Sequence, residues 1–133
     1  VGWEPEINPA SLALVLALAA GSAPVDRIEW LGRDQRFSAP CDVEVSFGSY
    51  ASGINAEVAR EVRAYVGRSR DVTRAQGVRW GREGEWDLCL TVRPKRASKV
   101  YADIRRMIPT YARQGPTSVS SKNGARFESK QGR

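Results

Sequence analysis

The chain has 133 residues, 21 Lys and Arg against 15 Asp and Glu, no histidine, and a formal net charge of +6. That length holds one hydrophobic core and excludes two comfortable domains, while 41% apolar and 27% charged residues exclude disorder throughout. The missing histidine excludes Ser-His-Asp and Cys-His catalysis and His-ligated zinc, and two cysteines 48 positions apart exclude a four-thiolate site and a C-x-x-C redox pair.

The first element is the apolar run in "NPASLALVLALAAGSAP". From Leu12 to Ala20 it shows no polar face, and Ala19 and Gly21 suit the −3 and −1 positions of a signal-peptidase site. The same residues also read as a buried helix, with Asn8 as N-cap, Pro9 in the first turn and Gly21 as stop. Against the signal reading, Glu4 and Glu6 stand where bases are expected. The run is far shorter than the ~20 residues that span a bilayer, so no membrane anchor is expected. Residues 1–24 are therefore set apart as a signal-like or buried helical segment, 25–114 as a single α+β domain, and 115–133 as a basic hairpin or tail. The signal reading carries an expectation of export, to a bacterial periplasm or beyond, with the cytoplasm as the alternative. The excess of Arg over Lys, 17 to 4, fits GC-rich coding sequence.

Downstream, "VDRIEWLG" reads as a short strand with Ile28 and Trp30 on one side. Val43, Val45 and Phe47 alternate with Asp42, Glu44 and Ser46, a strand with one buried face. Ile54, Val58, Val62, Tyr65 and Val66 then follow helical spacing, ending at Gly67. "DVTRAQGVRW" reads as a strand through Val72, Val78 and Trp80; "GREG" turns the chain; Trp86, Leu88, Leu90 and Val92 alternate again. A second helix runs through Ala97, Val100, Tyr101, Ile104, Met107 and Ile108 until Pro109, with Lys99 and Asp103 placed to pair. Asn123-Gly124 marks a hairpin that supplies a last strand or a tail. This order is a split β-α-β-β-α-(β) arrangement, the ferredoxin-like plait, with two helices on one face of an antiparallel sheet and the other face open.

The stretch Gly48 to Asn55 matches half of a phosphate-binding loop. Gly48 and Gly53 have the right spacing, but Ile54 and Asn55 stand where Lys and Ser or Thr are required. Gly48, Ser49, Ser52, Gly53 and Asn55 remain a candidate anion site, or a tight turn in which Ser52 or Asn55 caps the helix. The open face should show Asp42, Glu44, Ser46, Asp87, Cys89 and Thr91, with no aromatic for base stacking and three carboxylates that repel phosphate. Nucleic acid is therefore disfavoured, and the basic groups of "RPKR" and the tail read as a solvated surface.

Trp80, Arg82, Glu83 and Trp86, around the "WGREGEW" turn, are the candidate protein-partner site, the two indoles serving either as a cap on the core or as an exposed anchor. Cys41 and Cys89 are placed on neighbouring parallel strands about four residues out of step, roughly 13 Å at strand rise. That spacing predicts two free thiols; a disulfide between them would mean a different register at the start of the first plait strand. The expected function is non-catalytic protein binding through the open face or the "WGREGEW" edge, with no cofactor and no metal. The alternatives are a polyanion binder using the tail and a phosphate-ligand enzyme using the Gly48–Asn55 loop.

Overall fold

A computed structural model describes residues 26–132. Both readings of the apolar run at 12–20, signal or helix, lie outside those residues. The described chain is mixed α+β: two helices and a six-stranded sheet, with a separate pair of short strands. In chain order the elements are β1 (Ile28–Trp30), β2 (Val43–Phe47), α1 (Ala56–Arg68), β3 (Val72–Arg79), β4 (Trp86–Val92), α2 (Ala97–Arg105), β5 (Tyr111–Ala112), β6 (Thr117–Ser121), β7 (Arg126–Glu128) and β8 (Lys130–Gln131).

The main sheet has the order β1-β3-β4-β2-β6-β7. All neighbours are antiparallel except β1, which lies parallel to β3 with Ile28 opposite Ala75. Val43, Val45 and Phe47 are fully buried, and so are their cross-strand neighbours Leu88, Leu90 and Val119. Val58, Val62 and Val66 of α1 and Val100 and Ile104 of α2 complete the same cluster, so both helices cover one side of the sheet. The Tyr65 hydroxyl of α1 donates to Asp103 Oδ2 of α2 at 2.8 Å and ties the helices together.

Helix α1 starts where expected because Asn55 Oδ1 accepts from the Val58 N–H at 3.3 Å, removing one of the unpaired donors of the first turn. It runs one residue beyond Gly67, and the Ser69 N–H then bonds Tyr65 O. Helix α2 tightens before Pro109, where Met107 and Ile108 donate to carbonyls only three residues back.

One sequence expectation needs correction here. In β3 the register shifts between Val72 and Arg74. Such a bulge changes which residues face which side. Val72 therefore packs into the core, whereas Val78 is buried outside it, so Val72, Val78 and Trp80 do not share a face. Of the two readings of the Asn123-Gly124 hairpin, last strand or tail, the strand is the one seen: Val43 to Phe47 pair along their whole length with Ser121 to Thr117, which makes β6 an inner strand of the sheet.

The aromatic end of the core is a stack. Trp86 lies 4.5 Å from Phe47 and 5.1 Å from Trp30, centroid to centroid. Trp30 reaches this position by lying across Gly77, where a Cβ would come within 2.7 Å of the indole.

Candidate functional site

The uncovered face of the sheet carries the residues that alternate with the core. Glu44 stands opposite Cys89 and Ser120, and Ser46 opposite Asp87 and Ser118. Asp87 is internally satisfied: its Oδ1 accepts from the Ser46 hydroxyl at 2.6 Å and from the Trp80 indole N–H at 2.9 Å. Neither Asp87 nor Glu44 forms an ion pair among the described residues. Glu44 also has no hydrogen-bond partner there. Burial, with the Asp87 charge added to it, pushes the Glu44 carboxyl above its ordinary value of 4.5. The third carboxylate expected on this face, Asp42, is instead engaged at the sheet end. Its side chain accepts from the Val92 N–H at 2.8 Å and from Lys122 Nζ at 3.0 Å.

One part of this face is covered. The chain between β1 and β2 folds across it, and Ser38 exchanges hydrogen bonds with Gln76, whose amide nitrogen reaches Glu29 at 2.6 Å. Behind Ser38 the same segment delivers Cys41 to Cys89, and the two are joined by a disulfide with Cα atoms 5.2 Å apart. The expectation of free thiols on parallel strands is overturned on both counts. The strands are antiparallel, and Cys41 lies before the first residue of β2, where the chain has already left the strand line and crosses to the open side.

Around the "WGREGEW" turn the two indoles separate. Trp86 is only 5% exposed and belongs to the core, while half-buried Trp80 bonds Asp87 on the opposite face. They do not form a joint anchor. Arg82 and Glu83 are exposed, and Glu85 curls beneath the turn to accept from the Glu83 N–H at 2.6 Å.

In the Gly48–Asn55 loop, the backbone N–H groups of Gly48, Tyr50, Ala51 and Gly53 are already used within the protein. Ser49 Oγ accepts from the N–H groups of Ala51 at 3.0 Å and Gly53 at 2.9 Å, with both residues in left-handed conformations. The Gly48 N–H bonds Pro116 O, and Asn55 caps α1. Ser52 is exposed and is not the cap. The loop is thus closed on itself by its own serine.

Comparison with protein-family models, curated proteins and solved structures gives no match for this chain. Among the described residues no group of three or more His, Cys, Asp or Glu could hold a metal ion, and no helix is long and apolar enough to cross a membrane. The basic groups at the C-terminal end are partly engaged, Lys122 with Asp42 and Arg126 with Glu128. Arg96 and Lys99 flank Asp71 at 3.7 and 3.5 Å.

Sequence reasoning missed the polar partners made through space. Arg27 donates to the carbonyls of Val66, Ser69 and Val72, and Ser38 finds Gln76. No spacing rule links residues about 40 positions apart. Gln76 is buried and partnered by the covering segment, but a lone Gln in a strand does not show its burial in the sequence.

Proposed function

We propose that this chain is an exported, non-catalytic α+β module that holds a basic segment of a protein partner against its open sheet face. In this reading β2-α1-β3-β4-α2-β6 is a ferredoxin-like plait widened by β1 and β7. The strand order β3-β4-β2-β6 and a single core shared by both helices support it. The Cys41–Cys89 bond supports export, because disulfides persist in oxidising compartments.

The observation that carries the binding proposal is Glu44. In a chain of net charge +6 it stands half-buried and without a partner beside a second carboxylate that lacks an ion pair. Such a group opposes folding at neutral pH, and a cation laid beside it relieves that penalty. The flanking Ser46, Ser118 and Ser120 supply hydroxyls that accept from a lysine or an arginine. A lysine-rich peptide, titrated at low salt while backbone amide resonances are followed, tests the idea. Saturable shifts centred on Glu44, Ser46, Asp87 and Ser120, lost in Glu44→Gln, are expected. Shifts that Glu44→Gln leaves unchanged, or heparin retention that depends on Lys122 to Lys130, would refute this reading and favour a polyanion binder.

A further inference from the structure

On the opposite side of the molecule, a groove of about 370 Å³ runs beside the first turns of α1, lined by Ile54, Ala56, Ala59, Arg60, Arg63 and Trp86. Its apolar part comes from Ile54, Ala59 and the edge of the aromatic stack. Three donor groups meet this surface with almost nothing to donate to. Trp86 is 5% exposed, and its indole N–H, which unlike that of Trp80 has no acceptor among the described residues, keeps contact with solvent. Arg60, one turn before Arg63 on the same helix, has no ion pair and no hydrogen-bonded side-chain partner there. Arg63 spends one nitrogen on Asp26 at 2.6 Å, an exposed pair that exchanges readily. Its guanidinium also lies 5.7 Å from the Trp30 ring, so the cation is held near the stack.

The indole N–H therefore bonds water in the free protein and is open to an acceptor on a ligand. A ligand that suits these groups accepts hydrogen bonds, carries negative charge to match Arg60 and Arg63, and offers an apolar body to Ile54 and Trp86. We infer that this groove binds a small organic acid, a carboxylate on an apolar ring or short chain. The carboxylate lies between Arg60 and Arg63 and the body rests over the Trp86 edge. The volume falls within the range of small-molecule pockets. Arginine matches a carboxylate with two parallel donors, which favours that head group over a spherical anion. This site is separate from the open sheet face and does not depend on the partner proposal.

The test follows the assigned Trp86 indole N–H resonance in the oxidised full chain while 4-phenylbutyrate, 4-phenylbutanol or sodium phosphate is added. The expected result is a saturable downfield shift with 4-phenylbutyrate, absent or much weaker with the alcohol and with phosphate. Arg60→Gln, on an exposed helix position where folding is not at risk, should weaken that binding roughly tenfold. A Trp86 resonance unmoved by the acid at millimolar concentration would overturn the inference. So would equal binding of the alcohol, or an Arg60→Gln variant that binds as well as the parent.

Discussion

Removing the Cys41–Cys89 bond should cost this protein a large part of its stability. The bond spans 48 positions, enclosing β2, α1, β3 and the first part of β4. For a loop of that length the chain-entropy relation gives about 4 kcal/mol at 25 °C, an upper figure because a compact unfolded chain loses less freedom. Urea unfolding of the oxidised protein, its reduced form and Cys41→Ala/Cys89→Ala measures the effect. With a slope of about 2 kcal/mol/M, the midpoint should fall by about 2 M in both reduced and double-variant proteins. Agreement between those two separates loop closure from the loss of the sulfur atoms themselves. A second readout is local: the amide of Ser38, held only through Gln76 and the tether, should exchange faster once the bond is gone. Midpoints that drop by less than about 0.5 M would refute the reasoning, since the bond would then be constraining an ensemble already confined by other contacts.

Two predictions concern acids and have opposite signs. Glu44 has its folded carboxyl raised by burial and by Asp87, so what it contributes is present below its ordinary value of 4.5 and is lost as pH rises through the folded value. Glu44→Gln should therefore raise the melting temperature at pH 7, and the gain should shrink to nothing below about pH 4; a variant less stable than the parent at pH 7 would show that Glu44 has a partner after all. Burial alone would raise Asp103, but hydrogen bonds from Lys99 and Tyr65 and the charges of Lys99 and Arg106 outweigh it and hold the carboxyl below 3.8. Its contribution is present above the ordinary value and lost as pH falls through the folded one, so Asp103→Asn should destabilise at pH 7 and converge with the parent in acid, as thermal unfolding across pH 2–7 would report.

The sequence was most readable where one face of an element is buried and the other wet. β2 and β4 alternate and α1 keeps its apolar residues at helical spacing, so these were placed nearly to the residue, while α2 starts as expected at Ala97 but ends at Arg105, three residues short of Ile108. The Lys99–Asp103 pair followed from spacing alone and is present at 2.9 Å. β3 was harder because one extra residue between Val72 and Arg74 breaks the period of two, and nothing local announces a bulge. Trp86 could be assigned to the core with Leu88 and Leu90, but Trp80 inherited the misreading of β3. The disulfide was hidden by a wrong strand direction and by the bend before Val43, both of which are set by the long-range fold. As for the anion loop, the decisive residue was Ser49, whose hydroxyl fills the space that glycine spacing left open.

Arg27 sets a limit on how far this polypeptide can be shortened from its front. Its guanidinium is shared among three carbonyls where α1 gives way to β3, and its neighbour Asp26 grips Arg63. A maturation cut after Gly21 would spare both attachments. A cut a few bonds later, past Arg27, would leave the end of α1 without its clasp and free the parallel edge strand that follows. A truncation that keeps this junction intact therefore stops ahead of Arg27.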